Sequence, residues 1–142
     1  MTARRLAAVA SVAISLAAAG CPGDGSAIPD MMNGDLEPTL DSIQARVFGA
    51  ICVDCHVAGG PGSFMPLNSA DASFQNLVNQ PSLEFVGLDR VEPGDPEASY
   101  LVHKIEGRSG IVGDRMPPPP QSMLAADEIE AIREWILAGA PR

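Results

Sequence analysis

Two thiols three positions apart, with an imidazole directly after the second, form the densest piece of chemistry in this chain: Cys52-Val53-Asp54-Cys55-His56. C-x-x-C-H is the attachment signature of c-type haem. In that chemistry both thiols add across the haem vinyl groups, and the two-residue spacer lets the sulfurs reach one porphyrin edge. The next position carries the imidazole beneath the iron as proximal axial ligand. Two other uses of the same residues compete. A zinc site needs further thiol or imidazole ligands, and the only other candidates are Cys21 and His103. A redox dithiol of the thioredoxin kind opens a helix within a βαβ pattern, and no strand-rich run precedes Cys52.

The second stretch able to do chemistry is Gly113-Asp114-Arg115-Met116-Pro117-Pro118-Pro119-Pro120. Met116 lies sixty residues after His56, and the four prolines behind it exclude helix and strand. Such a run is stiff and extended. It can hold a thioether against iron, and His/Met pairing raises the potential of a c-type haem; the plainer use of Met116 is to fill a core gap. Among the rivals, His103 lies about 200° from Leu101 around an ideal helix, on the face of Ser99 and Glu106, and is expected in solvent. Met65 follows His56 by nine residues and would have to cross to the opposite haem face. Met123 is the most credible substitute, while Met31 and Met32 belong to a linker. Pro61 or Pro66 could offer a carbonyl to the second ring nitrogen of His56. Arg115, Arg90 and Tyr100 could meet the haem propionates, although each also has an ordinary surface reading.

Helices are the elements expected to position these groups. Asp41 with Gln44 three residues on suggests a capped start, with Ile43, Val47 and Ile51 then recurring at four-residue spacing, so a first helix would deliver Cys52. A second helix is expected from Ser69 or Asp71, burying Phe74, Leu77 and Val78. Asp95 and Pro96 open a third, with Gly107 as its stop and Ala98, Leu101, Val102 and Ile105 as its buried stripe. The last runs from about Ala126 to Ala138, with Ile129, Ile132, Trp135 and Ile136 on one face and Gly139 after it. No alternating pattern competes, so the fold is expected to be all-α.

Residues 1–20 read as an export signal: Arg4 and Arg5 precede an uncharged run from Leu6 to Gly20 that is too short to span a bilayer. Leu16-Ala17-Ala18-Ala19-Gly20-Cys21 resembles a bacterial lipoprotein cleavage box with Cys21 as the lipidated residue; Ala17-x-Ala19 would equally serve an ordinary signal peptidase and leave a soluble exported protein. Residues 21–40 read as a flexible linker rich in Gly, Pro and Asp, whose span when fully extended is at most roughly 60 Å. Residues 41–142 form one small domain. Two of the nine basic residues fall in the signal, so seven remain against eighteen acidic ones, a net charge of −11. That charge argues against nucleic acid and favours a basic redox protein or a basic patch on a larger membrane complex. Lys104 is the one lysine, so the chain cannot present a lysine ring to acidic partners.

From Asp41 to Arg142 the chain resembles a class I cytochrome c domain. The resemblance rests on the C-x-x-C-H run, on Phe48 four residues before Cys52, on Arg115-Met116-Pro117, and on the ending Glu128-Ile129-Glu130-Ala131-Ile132-Arg133-Glu134-Trp135-Ile136. It implies a single haem in a helical wrapper, attached through Cys52 and Cys55 with His56 and Met116 as axial ligands. It also implies first and last helices that cross at right angles, with Phe48 and Trp135 packed near the crossing. Gln44 stands where the family often has a glycine. The function implied is one-electron transfer outside the cytoplasm, without catalysis of the protein's own, by a membrane-tethered carrier. The alternatives are a ligand-binding or peroxidatic haem domain with a labile distal ligand, and a fixed subunit through which electrons enter a membrane oxidoreductase complex.

Overall fold

The computed structural model describes residues 36–142; the stretch read as an export signal, Cys21, Met31 and Met32 lie outside the described residues. Four α-helices and no β-strand make up the regular structure of the described residues, so the all-α expectation holds. The helices are α1 (Leu40–Ile43), α2 (Ala70–Leu77), α3 (Tyr100–Glu106) and α4 (Ala126–Leu137). None among the described residues is long and apolar enough to cross a membrane.

The first helix starts on Thr39 rather than Asp41. Thr39 is extended (φ −121°, ψ 149°) and its hydroxyl accepts from the Ser42 N–H at 3.3 Å, while Asp41 falls in the first turn, where its charge faces the positive end of the helix dipole. The expected continuous helix to Cys52 also breaks. After Ile43 the chain widens into a π-helical turn, Gln44–Phe48, closed by Gly49 N–H donating to Gln44 O at 2.7 Å. A β-carbon on Gly49 would lie 2.8 Å from that same oxygen, so only glycine fits the closure. The Gln44 amide fixes the other side of the turn: Nε2 donates to Leu67 O at 2.9 Å and Oε1 accepts from the fully buried Ser73 hydroxyl at 2.6 Å. Tertiary hydrogen bonds of this kind override a four-residue apolar period.

Ser69 caps α2 as expected, accepting from Ala72 N–H at 3.2 Å. The third helix departs from expectation at its start. Asp95 accepts from the N–H groups of Glu97 and Ala98 at 2.9 and 3.1 Å, but that turn ends before the helix begins at Tyr100. Ser99, which an ideal helix places on the face of His103, is fully buried; it donates to Asp95 O at 2.8 Å and accepts from Glu92 N–H at 2.9 Å. Gly107 stops α3 in the left-handed region (φ 64°), where a side chain would be strained. In α4 the Glu128 carboxylate reaches back to accept from Ala125 N–H at 2.8 Å, and Ile132, Trp135 and Ile136 are buried as the periodicity predicts.

The core joins the ends of the domain. Helix α4 touches α1 and α3, and α1 touches α2. Phe48 and Trp135, both buried, meet edge to face with centroids 6.4 Å apart at 74°, the favoured arrangement for two aromatic quadrupoles. Trp135 Nε1–H donates to Pro141 O at 2.8 Å, which satisfies the indole's one polar group. On the surface Arg133 of α4 bonds Glu97 at 2.7 Å and Glu106 at 2.9 Å, and Arg108 bonds the same two carboxylates. These pairs tie the turn before α3, the end of α3 and the middle of α4 together.

Candidate functional site

A 3₁₀ turn, Cys52–Asp54, carries the first thiol. Cys55 N–H and His56 N–H both donate to Cys52 O, at 3.2 and 2.9 Å, and at this tight winding side chains three apart stand on the same side. Cys52 and Cys55 accordingly border one cleft, and they are not bonded to each other. Burial pushes the Cys52 thiol up to about 12, and the nearby Glu128 and Asp54 carboxylates push in the same direction. A redox dithiol needs the reverse, an electropositive setting that favours thiolate.

His56 borders the same cleft and is nearly buried. Its Nδ1 lies 3.2 Å from Met65 O. A carbonyl can only accept, so Nδ1 carries the proton and Nε2 keeps its lone pair. The supporting carbonyl thus belongs to Met65 and to neither Pro61 nor Pro66. Any residue offers a carbonyl, so proline was no guide; the chain 56–67 closes on itself instead, with Gly62 N–H donating to Cys55 O at 3.0 Å, Met65 N–H to Gly62 O at 3.0 Å and Leu67 N–H to His56 O at 2.8 Å. Gly62 lies so near the imidazole that a β-carbon there would be 2.5 Å from Nδ1. Burial lowers the His56 pKa, the Met65 bond opposes this, and the Arg90 charge adds to the lowering.

Met116 reaches the cleft from the other half of the sequence. Its N–H donates to Lys104 O at 2.8 Å, which fastens the loop to α3. Arg115, a candidate for meeting propionates, does not border the cleft. Its guanidinium donates to Pro117 O and, at 2.8 Å, to Gln121 O, clamping the loop that carries Met116. The Met116–Pro117 and Pro119–Pro120 bonds are cis. Of the rival ligands, Met65 borders the cleft, whereas Met123 does not and is half exposed. His103 also stays outside; its Nε2 is 2.7 Å from Glu97 O. It is half-buried, less exposed than the helical wheel suggested.

The cleft so formed has a volume of about 280 Å³ and is lined chiefly by apolar side chains, among them Leu67, Leu77, Leu101, Ile105 and Leu124. Arg90, Tyr100, Lys104 and Glu84 supply its polar edge. Lys104, also nearly buried, donates to Glu84 at 3.1 Å and to Val112 O at 2.8 Å. Among the described residues no three His, Cys, Asp or Glu side chains converge to hold a bare metal ion, as a zinc site would require. A macrocycle that brings its own four nitrogens asks less of the protein: one ligand above and one below. Two thiols on one side of a turn, an imidazole with a free Nε2, and a thioether on the same apolar cleft fit that demand. Comparison with protein-family models, curated proteins and solved structures finds no match to this chain.

Proposed function

We propose that this chain is an exported one-electron carrier holding a single c-type haem in a class I cytochrome c-like helical wrapper. The observation that carries the reading is that one apolar cleft is bordered by Cys52, Cys55, His56 and Met116, residues up to sixty-four positions apart. Cys52 and Cys55 would hold the haem covalently, and His56 through Nε2 and Met116 through its sulfur would ligate iron. Bound there, the group supplies a reversible one-electron couple. The chain's residues exclude water with the apolar wall, fix the imidazole tautomer through Met65 O and fasten the thioether loop through Lys104 O and Arg115. The edge-to-face contact of Phe48 and Trp135 supports the wrapper. With His56 and Met116 both committed to the iron, no position would remain for a substrate, and His103, a possible acid–base group, stays off the cleft; both points favour transfer over peroxidatic chemistry.

Export and a lipid tether at Cys21 belong to the same proposal, as does a partner that is a basic redox protein or a membrane oxidoreductase.

The test is to express residues 22–142 with a haem-attachment system and record oxidised and reduced spectra, with carbon monoxide added to the reduced sample. Covalent haem, a weak long-wavelength ferric band from sulfur ligation and no response to carbon monoxide are expected. Met116→Ala is expected to abolish that band and admit carbon monoxide. Chains that emerge without covalent haem, or that bind carbon monoxide stoichiometrically as the unmutated protein, would refute the proposal.

A further inference from the structure

Three basic side chains border the cleft, the neutral imidazole of His56 and the cations Arg90 and Lys104, and their hydrogen bonds divide them sharply. His56 uses Nδ1 on Met65 O. Lys104 spends two of its three donors on Glu84 and Val112 O. Among the described residues Arg90 has no carboxylate partner. A guanidinium carries five N–H donors, and its one hydrogen bond among the described residues is from Nη1 to Asn76 O at 2.7 Å. An arginine that borders an apolar cleft with most of its donors unspent is matched to a planar anion arriving inside that cleft.

The backbone around Arg90 is built to hold it still. Arg90 N–H donates to Gln80 O at 2.7 Å and Leu101 N–H to Arg90 O at 2.9 Å. Bridges pair the next residue, Val91, with Val78, and the preceding one, Asp89, with both Pro81 and Ser99. The side chain is half-buried, and burial lowers its pKa while leaving it a cation at neutral pH.

From this arrangement we infer that Arg90 is the carboxylate-binding residue of the cleft, donating to an ionised propionate of the haem. The inference rests on the proposed function and deepens it, and it selects Arg90 where the sequence offered Arg115, Arg90 and Tyr100 alike. Arg115 is spent on its own loop, and the Tyr100 hydroxyl accepts from Val112 N–H at 3.0 Å while its own proton is engaged by the Glu84 carboxylate. The step is a binding step only. No proton moves, and the carboxylate stays ionised because the guanidinium favours its charged form.

The test follows the midpoint potential of the haem-loaded protein against pH. With Arg90 present, the propionate stays ionised and the potential is expected to be flat between about pH 5 and pH 8. In Arg90→Gln the carboxylate loses its cation and faces Glu84 across the polar edge, so its pKa rises into that window. Loss of the proton favours the more positive, oxidised state, so the potential of the variant should fall as pH rises. Arg90→Lys, which keeps the charge without the fork, should restore most of the flatness. Arg142→Gln makes the same change of net charge on a residue that pairs with Asp71 outside the cleft, and it should leave the profile unchanged. The other polar side chains that border the cleft include Glu84, Lys104, Tyr100 and His56; they are the same in every variant, so a difference between profiles reports the change at Arg90. An Arg90→Gln profile that matches Arg142→Gln would overturn the inference while leaving the haem reading intact. A chain that takes up no covalent haem fails the proposed function itself.

Discussion

Adding one methyl group at Gly62 should dislodge the proposed proximal ligand. The new β-carbon would stand 2.5 Å from His56 Nδ1, 2.7 Å from Cε1 and 2.9 Å from Cγ. Ordinary contact between such atoms is about 3.5–4.0 Å, so either the ring or the Gly62 backbone must give way by roughly 1 Å. Neither is free to do so. The ring is held at Nδ1 by Met65 O, and the Gly62 backbone is held on both sides by its bonds with Cys55 O and Met65 N–H. Gly62 is not among the glycines of positive φ, so alanine meets no backbone strain and the whole effect is the clash. Overpacking of this kind costs about 1–3 kcal/mol, which converts to roughly fivefold to a hundredfold in the balance between ligated and displaced imidazole. The assay is the reduced spectrum with carbon monoxide, together with a denaturant midpoint. Gly62→Ala should lower the midpoint and expose iron that binds carbon monoxide. Gly110→Ala is the companion: with φ +89° and open space around it, it costs about 1–2 kcal/mol through the backbone alone and should leave the spectrum untouched. A Gly62→Ala protein with unchanged spectrum and midpoint would refute the contact.

Two further outcomes test the frame around the site. Glu97 is held down at about 2, against an ordinary 4.5, by hydrogen bonds from Arg108 and Arg133. A depressed folded pKa stabilises above the unfolded value, so this contribution is complete above about pH 4.5 and drains away as pH falls toward 2. Glu97→Gln should lower the neutral unfolding midpoint, flatten its dependence across that acid window, and lose its difference from the parent in high salt, because the carboxylate is exposed. Equal slopes in the two proteins would show that the four-residue network does not stabilise. Phe48→Ala removes half of the ring pair with Trp135 and should cost about 3–5 kcal/mol, against a total stability of about 5–15 kcal/mol for a domain; a denaturant melt showing a loss under about 1 kcal/mol would mean that this contact does not hold the π-helical turn to α4.

What could be read from the chain was local, and what could not depended on a distant partner. Ser69, Gly107 and Gly139 mark helix ends through their own backbone or the next few residues, and all three were legible. The C-x-x-C-H run stands out because its residues are contiguous, and Met116 because four prolines follow it; the structure brings both to one cleft. The π-helical turn was not, since the bonds that widen it come from Leu67 and Ser73, twenty-three and twenty-nine residues from Gln44. Helical geometry puts Ser99 on the same face as His103, yet the helix starts only after it, and its hydroxyl is consumed by Glu92 and Asp95. The carbonyl behind His56, and the fact that Arg90 borders the cleft while Arg115 does not, share this cause. Each depends on where a loop folds back, which no spacing encodes.

The site itself is carried almost wholly on loops, and the hydrogen bonds explain how loops suffice. Every loop that brings a group to the cleft is fastened to itself or to a helix at more than one point: residues 56–67 by five backbone bonds, the Met116 loop by Lys104 O and the Arg115 clamp, and Arg90 between Gln80 and Leu101. The helices do different work, burying Phe48, Ile132, Trp135 and Ile136. Stability and ligation are therefore separable. Changes inside α4 should move the unfolding midpoint and leave the iron environment alone. Changes to Gly62, Arg115 or Lys104 should alter the iron environment first, because these residues contribute more to where a ligand stands than to how much apolar surface is buried.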